Sequence, residues 1–390
     1  MKKLVLKSGR ERSLLNRHPW VFSGAVKDLP DALNGEVVQI VTNHHDLLGY
    51  GFFSPNSQIT CRVFEFTPEP IELSDAYWVQ KLENAYGLRK QLLDMSSTNC
   101  FRLLHAEGDF FPGIIVDIYA QVAVAQILVK GVEQIAETIF KALNQLGFKH
   151  IYVKTKQTTQ LLESVEQGSR WIGEPAPMPL IVLEHGVKFY VNVETGQKTG
   201  FFIDQRENRK SVGEWSKGKN VLNTFSYSGG FSLYALQAGA NLVHSVDSSR
   251  DAMALCDANV ALSHYEERHA SFVMDCFEFL KTAESNFYDI IILDPPAFAK
   301  NARSVDNAAR GYKNLNLLGF QKVKKGGLIY TYSCSQHIDK DLFRKIVFSA
   351  AADAGRNVRI LRQLSQPEDH PINIYHPEGE YLKGLLLMVD

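Results

Sequence analysis

"VLNTFSYSGGFSLYALQAGA", residues 221–240, runs an apolar strand into a turn of small residues that opens directly into a helix. Val221 to Phe225 reads as a buried strand, Ser226 to Gly230 as the turn, and the apolar residues that follow as a helix. Glycine lets backbone approach a bound molecule closely, and the first turn of a helix offers N–H groups that have no partner inside it. The turn is not G-x-G-x-x-G, so the dinucleotide fingerprint is absent.

Outward from this stretch the same rhythm repeats. VKFYVNV (187–193) precedes it, and HSVDSS (244–249), SFVMD (271–275), YDIIILDPP (288–296) and GGLIYTYS (326–333) follow, with helical stretches between them. Short apolar strands alternating with helices predict a doubly wound parallel sheet over about 185–390. NVRILRQL (357–364) and GLLLMV (384–389) have no helix between them and are expected to pair as an antiparallel edge.

Upstream the pattern differs. Residues 37–64 read as short strands broken by NHHD and SPNSQ, a small β domain over 1–70 that "FTPEP" (66–70) would close. Ser74 is placed to cap a helix carrying Trp78 and Leu82. FRLLHAEG, GIIVDIY, QVAVAQI and HIYVKT read as strands and VEQIAETIFKALNQLG as a helix, giving a central α+β domain over 73–180 that ends at EPAPMP.

At 390 residues, with 45% hydrophobic and 22% charged residues, the composition is that of a globular protein rather than a disordered one. MKKLVLKSGRER lacks a signal-peptide core, since Lys7 breaks the apolar run, and no stretch reaches membrane-spanning length. Five cysteines without CxxC or His/Cys spacing predict neither a metal site nor a disulfide framework, and a reducing cytoplasm fits best. The net charge of −1 gives no hint of a polyanionic partner, yet Lys2, Lys3, Lys7, Arg10, Arg12, Arg17 and Lys27 crowd the first thirty residues. Such a cluster suits phosphate contacts if it shares a face, and is otherwise a solvated surface.

Three acids stand at successive strand ends. Asp247 lies some twenty residues after the 226–230 turn, where an acid grips ribose hydroxyls; Asp275 and Asp294 end the next two strands. One strand-end Asp is often only a helix cap, but three in order converge on the carboxyl edge, where open α/β sheets bind ligands. Pro295 and Pro296 stiffen the turn after Asp294. Cys334 ends the following strand between Ser333 and Ser335.

The order FSYSGGF, SVD, MDCFEFL, LDPPAF, YTYSCS resembles class I S-adenosylmethionine-dependent methyltransferases, and specifically the cytosine-5 methyltransferases of bacterial large-subunit ribosomal RNA. HPWVFSGAV (18–26) resembles the start of that family's PUA RNA-binding domain, and TGQKTGFFIDQRENR (195–209), RGYKNLNLL (310–318), DHP (369–371) and PEGEYLKG (377–384) match further. The resemblance implies a Rossmann-like methyltransferase sheet, an N-terminal PUA-like β-barrel and a small central α+β domain. It implies that Phe225, Ser226, Tyr227, Ser228, Gly229 and Gly230 surround the methionine part of S-adenosylmethionine, that Asp247, with Ser248 beside it, holds the ribose, and that Asp275 meets the adenine amino group, with Cys276 packed nearby. Gln205 and Arg206 would line the same pocket, Asp294 and Pro295 would face the target base, and Cys334 would be the nucleophile. Large-subunit ribosomal RNA is the implied partner, and exposed strand edges would permit a homodimer.

The chemistry explains why a cysteine belongs there. Carbon 5 of cytosine is a poor nucleophile until a thiolate adds at carbon 6 and pushes electron density onto it. Many relatives carry a second cysteine after the "DPP" prolines, whereas Ala297 and Phe298 follow here, as in a single-cysteine branch. Cys61, Cys100 and Cys256 read as buried packing residues. Two other readings stay open: methylation of an exocyclic amine of guanine N2 or adenine N6, in which Cys334 would be idle, and a non-catalytic RNA-binding scaffold.

Overall fold

A computed structural model describes residues 1–155, 165, 168–299 and 301–390. The chain forms two compact units: one built from Met1–Glu184, Val191–Ile203 and Glu368–Glu380, the other from His185–Tyr190, Asp204–Pro367 and Tyr381–Asp390.

Two sheets make the first unit. A six-stranded sheet orders Trp20–Phe22, Ile59–Glu65, Leu47–Phe53, Val37–Val41, Lys3–Leu6 and Val26–Asp28. A five-stranded sheet orders Arg170–Ile172, His150–Val153, Val122–Ile127, Ile114–Tyr119 and Cys100–His105. The sequence pattern showed the strands between 37 and 64 but not the three before them, which span only three or four residues each. Trp78, on the helix Asp75–Leu92, lies 5.7 Å from Phe52 and 4.8 Å from Phe64 of the first sheet, and 5.4 Å from Phe111. Aromatic residues bury large apolar areas, so Tyr50, Phe52 and Phe64 of the first sheet join the core of the second, while Leu4, Leu6, Val21, Val38, Ile40 and Val63 form a separate core of the first sheet's own. Ser74 precedes that helix as expected, though its side chain makes no capping hydrogen bond.

The same unit takes in the DHP segment. Asp369 accepts the Arg102 N–H through Oδ2 at 2.8 Å, and its carbonyl accepts from Arg89 Nη2 at 2.8 Å. Arg102 in turn pairs with Asp117 through two bonds of 2.7 and 2.9 Å. Arg89, Asp117 and Asp369 are fully buried, and charges can stay there because each is paired.

Within the second unit the strands are β1 (Asn220–Thr224), β2 (Leu242–Asp247), β3 (His269–Val273), β4 (Tyr288–Leu293), β5 (Val323–Ser333), β6 (Val358–Ser365) and β7 (Lys383–Val389). The helices are α1 (Arg206–Ser216), α2 (Gly230–Gln237), α3 (Arg250–Leu262), α4 (Cys276–Thr282), α5 (Val305–Lys322) and α6 (Lys340–Asp353). The sheet order is β3-β2-β1-β4-β5-β7-β6, with β1 to β5 parallel. This is the expected doubly wound sheet.

One expectation needs correcting: VKFYV (187–191), read as the first strand of this series, is not a strand of this sheet. As expected, the last two strands pair antiparallel at one end of the sheet, with β7 between β5 and β6 and antiparallel to β5 as well. β7 takes the inner place because GLLLMV is apolar and almost wholly buried, whereas β6 carries Arg359 and Arg362 and is largely exposed. The order reverses between β1 and β4, so the loops after β1, β2, β4 and β5 gather at one sheet edge.

Candidate active site

The loop after β1 is held in an uncommon backbone conformation. Phe225, Tyr227 and Gly229 have φ of 54°, 46° and 77°. Each left-handed non-glycine residue costs about 1–3 kcal/mol and persists only where its surroundings fix it. Here they do. Ser226 N–H donates to the Val246 carbonyl at 3.0 Å, Tyr227 N–H to Asp247 Oδ2 at 3.0 Å, and Asn259 Nδ2 to the Ser228 carbonyl at 2.9 Å. Phe225 N–H points at Cys276 Sγ, 3.1 Å away. A Cβ on Gly229 would sit 2.5 Å from Cys256 Sγ, and one on Gly230 would sit 2.9 Å from Arg209 Cδ. The loop is thus packed so closely on Cys256 and Arg209 that side chains at 229 and 230 would clash with them.

Asp247, at the end of β2, accepts the Ser249 N–H through Oδ1 at 2.9 Å as well as that of Tyr227, which ties the β1 and β2 loops together. Ser248 beside it is exposed. Asp275 is also exposed and caps α4, its Oδ1 accepting from Phe277 N–H at 2.9 Å and Glu278 N–H at 3.1 Å. Cys276 is buried behind the loop, and burial pushes its thiol up to about 12, which suits packing rather than reaction.

Asp294 follows β4. Gln205 donates from Nε2 to Asp294 Oδ2 at 3.0 Å, and Asn208 donates from Nδ2 to Gln205 Oε1 at 2.6 Å. Asn208 fixes the amide so that its NH₂ end faces the carboxylate. The sequence reading passed over Asn208; its position three residues after Gln205 on a helical start was the available signal. Arg206 is fully buried, with Nε donating to Glu207 Oε1 at 3.0 Å. Burial works to raise Glu207, but hydrogen bonds from His185 and Arg206 outweigh it and bring the carboxyl down to about 2.

Cys334 follows β5 as a half-buried cysteine that is in no disulfide. β4 and β5 are neighbours with Leu293 opposite Thr331, so Asp294 and Cys334 leave adjacent strands at the same edge. Ser335 joins the two loops: its Oγ accepts the Ala299 N–H at 3.1 Å and lies 2.9 Å from the Tyr312 hydroxyl. Lys383 donates from Nζ to the Ser335 and Ile338 carbonyls, both at 2.6 Å. On β5, Tyr332 stacks on Phe231 at 5.7 Å, and its buried hydroxyl has no hydrogen-bond partner among the described residues. A thiol, a carboxylate held by an amide, and a strained loop beside a strand-end acid together suit nucleophilic chemistry on a molecule bound at this edge.

Comparison with known proteins gives the family. Residues 4–66 match the model of a PUA-like domain, and residues 102–371 match that of an S-adenosylmethionine-dependent methyltransferase. "Ribosomal RNA large subunit methyltransferase I" of Alteromonas mediterranea is 39% identical over 391 residues, covering 99% of this chain and 98% of that protein. The protein of the same name from Aeromonas salmonicida is 40% identical, with 98% of each chain covered. Among solved structures, the methyltransferase SMU.776 complexed with SAH aligns at a TM-score of 0.85 and 27% identity over 100% of both chains. The chain therefore belongs to the family of S-adenosylmethionine-dependent methyltransferases.

Proposed function

We propose that this protein methylates carbon 5 of a cytosine in large-subunit ribosomal RNA through a covalent adduct with Cys334. The relatives' name supports the RNA, the methyltransferase fold supports the cofactor, and the position of Cys334 supports the chemistry. Bound S-adenosylmethionine supplies an electrophilic methyl group. The strained cradle Phe225–Gly230 fits its methionine part, Asp247 with Ser248 its ribose, and Asp275 with Cys276 its adenine. In this reading Gln205 serves by orienting Asp294, and Arg206 by holding the turn that carries Gln205.

The steps of the chain's own residues follow. The Cys334 thiolate adds at carbon 6 of the cytosine, which turns the ring into an enamine with a nucleophilic carbon 5. Asp294, beside Pro295, holds the proton at N3 or hydrogen-bonds the exocyclic amine where charge develops. After carbon 5 carries the methyl, loss of its proton restores the 5,6 double bond and expels the thiolate. Residues 1–70 serve as the RNA clamp, with the exposed Lys2, Lys3, Lys7, Arg10, Arg12, Arg17 and Lys27 on phosphates, residues 73–180 as the central domain, and 185–390 as the catalytic module.

The single observation that carries the proposal is the Cys334 thiol at the β5 end, its loop fastened through Ser335 to the loop of Asp294. An exocyclic-amine methylator has no use for that arrangement. Bisulfite sequencing of large-subunit RNA from a strain lacking the gene, before and after complementation, is expected to show one cytosine that resists conversion only when the gene is present. Complete conversion in both samples would overturn the proposal.

A further inference from the structure

We propose that Lys383 is a positioning residue for Cys334, a buried ammonium that anchors the nucleophile's loop and favours its thiolate. The inference rests on the reading of Cys334 as the nucleophile. Lys383 begins β7 and pairs in antiparallel register with Ser333, the residue before Cys334. Its side chain crosses under the turn after β5 and donates to the carbonyls of Ser335 and Ile338, which bracket that turn. Lys383 is only 6% exposed. A lysine is rarely buried for stability alone, and charge-assisted bonds this short hold a loop more firmly than neutral ones.

The charge has a second effect. The ionisable groups that the fold brings to the Cys334 loop are Asp294 at the end of the adjacent β4, Tyr312 with its hydroxyl on Ser335, His337 in the same loop and Lys383 opposite Ser333. An ionised Asp294 at the end of the adjacent strand opposes a neighbouring thiolate. Lys383 supplies the opposite sign from the adjoining strand, with its ammonium fixed rather than free to swing toward solvent. Forming the thiolate requires only loss of the S–H proton to water; the electron pair left on sulfur then makes the bond to carbon 6. Lys383 lies in PEGEYLKG, a stretch that matched the family without a role attached.

The test is alkylation of Cys334 by iodoacetamide across pH, followed by peptide mass spectrometry, on the full-length wild type, Lys383→Gln and Lys383→Arg. Melting temperature and S-adenosylmethionine affinity report folding. The wild-type midpoint is expected below the ordinary thiol value of about 8.5. Lys383→Gln, which can still donate a hydrogen bond, is expected to raise it by about one unit and slow alkylation at neutral pH about tenfold, while Lys383→Arg restores most of the rate. Superimposable profiles for folded wild type and Lys383→Gln would overturn the proposal. So would a wild-type midpoint at or above the ordinary value, a result that needs no variant. A parallel incubation with 5-fluorocytidine RNA separates the two ideas: a missing adduct alongside a lowered midpoint defeats the nucleophile, not the effect of Lys383 on the thiol.

Discussion

Gly229→Ala is the sharpest probe of how the cofactor loop is built. At φ of 77° an alanine is strained, which costs about 1–2 kcal/mol. Its Cβ would also stand 2.5 Å from Cys256 Sγ on α3, with Leu233 Cδ1 at 3.4 Å behind it. Forcing a methyl into a packed site costs a further 1–3 kcal/mol or so, giving a total of about 2–5 kcal/mol. The two parts separate in a double-mutant cycle with Cys256→Ala. Removing the sulfur relieves the clash and leaves the backbone strain, so Gly229→Ala should cost only about 1–2 kcal/mol in that background. Urea denaturation followed by circular dichroism measures all four proteins, and S-adenosylmethionine titration shows whether the cradle still binds. A loss below about 0.5 kcal/mol in the wild-type background, or the same loss with and without Cys256, would refute the reasoning.

Asp247→Ala removes the acceptor for the Tyr227 and Ser249 N–H groups as well as the group placed for the ribose. The dissociation constant for S-adenosylmethionine should rise about 10- to 100-fold by calorimetry, and an unchanged value would take Asp247 out of the site. Glu207, brought down to about 2 by His185 and Arg206 against the effect of burial, gives the fold a pH-dependent contribution. Because its folded value is depressed, that contribution is complete above the ordinary carboxylate value of about 4.5 and is lost as pH falls toward about 2. The side chain is 32% exposed, so the effect is screened to about 1 kcal/mol; denaturation midpoints should fall over that window in wild type, with the Glu207 component missing in Glu207→Gln.

The sheet was legible because its strands are continuous apolar runs with acids at their ends. Asp247 and Asp294 stand where that pattern put them, since strand ends at a parallel sheet's carboxyl edge cannot lie elsewhere. What the sequence hid was cross-chain pairing. Nothing in the residues around Cys334 announces Lys383, 49 positions away, because its approach depends on β7 inserting beside β5. Ser335 likewise reads as a loop serine until the fold sets it against Ala299 and Tyr312. DHP belongs by sequence to the catalytic half, yet Asp369 is buried against Arg102 in the first unit. His18, His376 and Glu378 come together there too, with side-chain donor atoms within 4.8 Å of one another, although no spacing in the chain suggests it.

The covalent step itself can be caught directly. Wild type and Cys334→Ala are incubated with large-subunit RNA fragments containing 5-fluorocytidine and with S-adenosylmethionine, because fluorine at carbon 5 cannot leave as a proton and stalls the adduct. A wild-type complex that survives denaturation, with the nucleotide mapped by mass spectrometry to the peptide containing Cys334, and no such complex from Cys334→Ala, is the expected outcome. Methyl transfer to ordinary RNA by Cys334→Ala at the wild-type rate, or an adduct on a different residue, would contradict it.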